Sequence, residues 1–360
     1  MPTPPTPTAL SIRNYTLHVI TLLFILTLHR MLSLVTFFFR GRWGQIPRDI
    51  PVPEVRMVST PNGTIRVLLW NVGKPGIPLV CLHGLNGSPW AWARTAGWIS
   101  QQYPNAPPIY ALSMPGHGDG TQTHNVSVDL ENTMKGICRA LEVLQADVFH
   151  LLGHSWGGKV ATYIACKRTA HVKSVVLCDP VMPQGVAPVN LLAPMFVRLG
   201  FVAERRVFMT KESLDNGRHY VMHMNKAVDP MEKNLWGDMF KLHGDGHFHP
   251  RVPDSLFWDI VTKTLMHDIK GLLHHIECPV LCLRPDMTVS PWPGAVRHLQ
   301  KLETVRFGHI AGDHCFIHSN PMDSSECIMR FVCEAQKDVD AGSKMKQEMT
   351  AFPSWDFGLG

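Results

Sequence analysis

The chain has 360 residues, 45% hydrophobic and 18% charged, with a formal net charge of +5. That size suits one large domain with insertions or two small ones, with an apolar extra segment. The Lys and Arg residues form no block, which argues against a nucleic-acid partner, and the nine cysteines contain no C-x-x-C pair, which argues against a disulfide framework and for a reducing compartment.

Residues 1–14 are Pro/Thr-rich and read as a disordered N-terminus. Residues 15–39 are strongly apolar and, at 25 residues, exceed the roughly 20 that span a bilayer. His29-Arg30 interrupts the run, and a mid-helix Arg is costly in lipid. The segment is therefore expected to be a membrane anchor: a tilted signal-anchor helix, an in-plane helix with Arg30 snorkelling, or a cleaved leader. Arg40, Arg42 and Arg48 follow it, against Arg13 alone before it, so a spanning anchor would leave the remaining chain in the cytosol.

Residues 40–53 read as a linker. Glu54–Thr60 and Thr64–Trp70 alternate around Asn62-Gly63 and predict a β-hairpin. Ile77–Leu82 predicts a buried strand, Ser88–Gln101 a Trp-rich helix, Pro108–Leu112 a strand and Val128–Leu144 a helix. Val148–Leu152, Gly158–Cys166 and Val172–Cys178 continue the alternation as strand, helix and strand. Cys81, Cys178 and Cys282 fall inside apolar strand-like runs, where a thiol acts as a small core residue. Continuous apolar strands alternating with helices predict a mostly parallel sheet covered on both faces.

From about Val181 to Lys270 the alternation stops, and helical patches such as Asn190–Val207 and Pro253–Met266 predict an inserted helical cap. The sheet resumes with Cys278–Leu283 and with strand-like residues over Thr304–Ile310; Ser324–Gln336 predicts a closing helix. The expected organisation is thus a core over 54–182 and 271–338, a cap over 183–270 and a polar tail over 339–360.

Gly153-His154-Ser155-Trp156-Gly157 sits between a predicted strand and a predicted helix. A serine at so tight a turn needs small neighbours two residues away on either side, and the turn aims the Trp156 amide at the reacting centre. A serine hydroxyl is a weak nucleophile and needs a base held by an acid. Catalytic groups in such sheets gather at the C-terminal strand ends. There Asp286 follows one late strand and His314 another, so Ser155, Asp286 and His314 are the expected nucleophile, acid and base. Asp179, at the end of the strand after Ser155, is the alternative acid, and His318 an alternative base. His83, His117 and His154 are expected to hydrogen-bond neighbouring loops. His243, Asp245, His247 and His249, with His274-His275, could form a metal cluster, but the chemistry requires none, and polar surface is the simpler reading. No metal or cofactor is expected.

Taken together, Leu82-His83-Gly84-Leu85, Pro115-Gly116-His117-Gly118, the Gly153–Gly158 turn, Asp286 and Gly312-Asp313-His314 resemble the serine-nucleophile, esterase/lipase-like branch of the α/β-hydrolase fold over roughly residues 54–338. The resemblance implies an oxyanion hole made by the backbone N–H groups of Leu85 and Trp156. It departs at Ser113, where the family often has Asp. The expected function is a membrane-associated serine hydrolase cleaving a carboxylic, lipid-like ester through an acyl-enzyme. Thioesterase, acyltransferase, aminopeptidase, carbon–carbon hydrolase and perhydrolase chemistry, and a non-catalytic binding protein on the same fold, are the alternatives. Oligomeric state is left open.

Overall fold

The computed structural model describes residues 49–60, 63–117, 127–181, 230–242, 248–265, 267–287 and 298–340. The expected anchor over 15–39, the 190–207 cap patch and the 339–360 tail, past residue 340, lie outside them. No helix among the described residues is long and apolar enough to cross a membrane.

The predicted hairpin forms β1 (Glu54–Thr60) and β2 (Gly63–Trp70), paired antiparallel from Glu54↔Leu69 to Thr60↔Gly63. The short apolar runs become β3 (Leu79–Leu82), β4 (Ile109–Leu112), β5 (Phe149–His154) and β6 (Val172–Cys178). β9 (Val280–Met287) and β10 (Val305–Asp313) complete an eight-stranded sheet of order β1-β2-β4-β3-β5-β6-β9-β10. From β4 to β10 every neighbour is parallel; only the β1–β2 and β2–β4 pairs are antiparallel.

Alternation along the strands feeds two cores. Val80, Leu82, Leu151, Val175, Leu177 and Cys282 face α2 (Leu130–Val143) and α3 (Trp156–Lys167). Leu79, Cys81, Leu152, Val176, Cys178 and Leu281 face α1 (Ala93–Gln102) and the closing helix. The three strand cysteines are buried as the apolar runs predict, and burial pushes the Cys282 thiol up to about 12. Ser88 caps the single turn Pro89–Trp92 that leads into α1, and Asp129 Oδ1 accepts from Asn132 N–H at the start of α2, so both helices begin where a side-chain acceptor stands.

The stretch expected to be helical holds α4 (Pro230–Met239) and α5 (Asp254–Ile260), which runs into a π-helical turn, Val261–Leu265. It also holds an unpredicted antiparallel ribbon, β7 (Phe240–Leu242) with β8 (Phe248–Pro250). These three-residue strands are too short for alternation to announce them. The last strand expected over Thr304–Ile310 forms as β10, which runs on to Asp313 and is followed by α6 (Phe316–Ser319) and α7 (Pro321–Asp340).

Candidate active site

Ser155 sits between β5 and α3 with φ 56° and ψ −119°, a left-handed conformation that costs energy for a side chain other than glycine. The flanking glycines show what makes the turn so tight. A Cβ on Gly153 would lie 2.4 Å from Gly157 O, and one on Gly157 would lie 2.5 Å from both Leu82 O and His83 O. Hydrogen bonds then hold the turn: Ser155 N–H donates to Cys178 O (3.0 Å), and Ser155 O accepts from Gly158 N–H and Val181 N–H (both 3.0 Å).

The same bonds bring the end of β6 beside the nucleophile. Asp179, fully buried, has its Oδ2 2.6 Å from His314 Nδ1. The carboxylate accepts, so Nδ1–H donates and Nε2 is left as the acceptor. Asp286 is not the partner of His314, contrary to the sequence expectation. β9 runs on to Met287, so Asp286 lies within a strand and not beyond it, and its Oδ1 is 2.8 Å from His309 Nε2. The alternative acid, Asp179, occupies the place at His314. The signal for it was its position at the end of the strand hydrogen-bonded to the Ser155 turn. His318, the alternative base, is buried in α6.

The loop after β3 lies against Ser155: a Cβ on Gly84 would come within 2.9 Å of Ser155 Cβ and 3.4 Å of its Oγ. Leu85 follows, and no hydrogen bond among the described residues uses its N–H. Trp156 is the first residue of α3, where a helix has no preceding carbonyl for its N–H.

Three histidines tie these loops together, as expected. His83 Nε2 accepts from Met114 N–H (2.9 Å) while Nδ1–H donates to Gly84 O (2.8 Å). His117 Nε2 accepts from Asn86 N–H (3.1 Å), and Ser113 Oγ–H donates to His117 O (2.8 Å), so the residue that departs from the family pattern holds the loop. His154 Nε2–H donates to His314 O (2.6 Å). Burial is the main reason all three stay neutral. It holds His83 well below the usual range, abetted by His117, and His117 down to about 4 despite its bonds to Pro115 and Met114. His154 is held at about 3 by burial and by the neighbouring His314, despite its bond to that residue's carbonyl.

Contacts with the cap region were not foreseen. Trp156 Nε1–H donates to Thr264 Oγ1 (2.9 Å), and the indole stacks on His117 at 5.2 Å. Lys159, one turn on, is buried and donates to His267 O; burial pushes its ammonium down to about 7, opposed by Asp268. Among the described residues no group of three or more His, Cys, Asp or Glu could hold a metal ion. His243, Asp245 and His247 lie outside them.

A mostly parallel sheet, a strained serine between strand and helix, and a carboxylate-bound histidine at the strand ends define the α/β-hydrolase class. The alpha/beta hydrolase family model matches residues 79–324, and the chain belongs to that family. A 107-residue stretch, 29% of this chain, is 36% identical to 2-succinyl-6-hydroxy-2,4-cyclohexadiene-1-carboxylate synthase of Escherichia coli, of which it spans only 39%. Among solved structures, the thioesterase domain from the curacin biosynthetic pathway superposes with a TM-score of 0.60 at 17% identity, over 78% of this chain and all of that one. A membrane phospholipase A, a bacterial virulence factor, gives 0.60 at 18% identity over 90% of this chain and 99% of its own. At these identities the likeness is one of fold. Membership of the alpha/beta hydrolase family is what supports a hydrolase activity.

Proposed function

We propose that the chain cleaves a carboxylic ester through an acyl-enzyme on Ser155, with His314 as general base and Asp179 as the acid that orients it. The observation that carries this reading is the 2.6 Å contact between His314 Nδ1 and Asp179 Oδ2, beside a serine held at φ 56°. In the proposed reaction Ser155 Oγ attacks the ester carbonyl as His314 Nε2 takes its proton. The proton then passes to the departing alcohol. Asp179 keeps the imidazole in the Nδ1–H tautomer and stabilises the imidazolium. The N–H groups of Leu85 and Trp156 receive the oxyanion, each contributing on the order of 3 kcal/mol to the transition state. Water activated by His314 then releases the acid.

A lipid-like substrate and a membrane location belong to the same proposal. They are supported by the apolar run over 15–39 and by the fold's likeness to a membrane phospholipase A.

The test is labelling of membrane and soluble fractions with a fluorophosphonate probe, wild type against Ser155→Ala. Labelling confined to wild type and found in the membrane pellet is the expected result. A folded wild-type protein that does not label ends the acyl-enzyme proposal; labelling only in the soluble fraction ends the membrane proposal.

A further inference from the structure

Asp286, one residue before the end of β9, is a second carboxylate, held by His309 and Gly312. β9 and β10 run in parallel register from Val280↔Val305 to Pro285↔Ile310, after which Met287 faces Asp313. Asp286 on one strand therefore opposes both Ala311 and Gly312 on the other: β10 carries one extra residue, a β-bulge. An extra residue leaves backbone groups outside the ladder, and they need other partners. Asp286 Oδ2 accepts from Gly312 N–H at 3.4 Å, and Asn320 Nδ2–H donates to Ala311 O at 3.0 Å. Asp286 Oδ1 is at the same time 2.8 Å from His309 Nε2, two residues before the bulge. Gly312 has φ +140°, a conformation side-chain-bearing residues rarely adopt.

The bulge leads directly into the loop that carries His314. Beyond it, Asp313 Oδ1 accepts from Cys315 N–H (2.8 Å) and Ser319 Oγ–H (3.1 Å), tightening the loop that carries His314 to Asp179. Bulges of this kind re-aim side chains at functional sites.

We propose that Asp286 is a positioning residue: it bridges His309 and Gly312, sets the bulge at the end of β10, and so presents His314, without acting as its acid. The proposal rests on the reading of Ser155, His314 and Asp179 as the catalytic set. It predicts a defect in the rate of acylation and not in substrate binding.

The experiment compares fluorophosphonate labelling rates, and kcat and KM on a chromogenic short-chain ester, across full-length variants whose folding is checked by circular dichroism. Asp286→Ala is expected to slow labelling and lower kcat about tenfold with KM unchanged, since small misplacements of a catalytic group cost up to about 100-fold. Asp286→Asn, whose amide oxygen can still accept from Gly312 N–H, is expected to recover most of that loss. Asp179→Asn is expected to cost about 10,000-fold in kcat, as loss of a triad acid does. Gly312→Ala strains the bulge while leaving Asp286 in place, and is expected to show the same fall in kcat at constant KM; it decides the matter if Asp286→Ala does not fold. The proposal is overturned if Asp286→Asn is as damaging as Asp179→Asn, or if the Asp286→Ala or Gly312→Ala rates match wild type. Labelling that persists in Ser155→Ala instead overturns the acyl-enzyme reading beneath it.

Discussion

At the scale of the residue, the Ser155 turn is held by what is missing from its neighbours. A methyl on Gly157 would have to share space with two carbonyl oxygens 2.5 Å away, and both belong to backbone that has no room to give. Gly157→Ala should therefore destabilise the fold by about 1–3 kcal/mol or more, read as a lower urea midpoint at an unchanged slope. A second residue-scale case is Asp179. Its carboxylate is buried against His314 Nδ1, so His314→Ala should cost stability as well as activity. A thermal melt of His314→Ala that equals wild type would contradict this. Asn86 is buried beside the site with its backbone N–H donating to His117 Nε2.

At the scale of the element, α3 does two jobs. Its first residue lends its N–H to the proposed oxyanion hole, and its first turn grips the π-helical turn Val261–Leu265 through Trp156 and the following His267 carbonyl through Lys159. π-helical turns are rare and concentrate at functional sites. Thr264 Oγ1 also donates to Ile260 O, so the hydroxyl is both acceptor and donor inside the core. Thr264→Val leaves the buried indole N–H without its partner and should cost about 1–3 kcal/mol, measured by equilibrium denaturation. Thr264→Ser keeps the hydroxyl and should recover part of that cost.

At the scale of the whole molecule, buried neutral histidines make stability depend on pH. Burial holds His150 at about 4, with a smaller opposing bond to Gln336, and His117 at about 4, against an ordinary 6.5. Between about 6.5 and about 4 the unfolded chain binds these protons and the folded one does not. Stability is therefore fully present above 6.5 and is lost as pH falls toward 4, each group contributing up to about 3 kcal/mol. The urea midpoint should fall over that window. His150→Gln, at the end of β5 remote from Ser155, should flatten the fall; an equal slope in that variant would show that His150 is not one of the groups responsible.

Much of this protein is legible in its sequence because the signals are local. Apolar runs ended by Gly and Pro mark the parallel strands, and the spacing Gly153-x-Ser155-x-Gly157 is dictated by sterics within one turn. The identity of the acid is not local. Asp179 and Asp286 both follow apolar runs, and only the sheet order β6-β9-β10 places one carboxylate on His314 and the other on a bulge. The bulge itself depends on a register shift between strands whose pairing no single segment encodes. The same holds for the grip of Trp156 on Thr264, 108 residues apart. Chemistry confined to a turn can be read from neighbouring residues; a partner chosen across the sheet is set only when the strands have found their order.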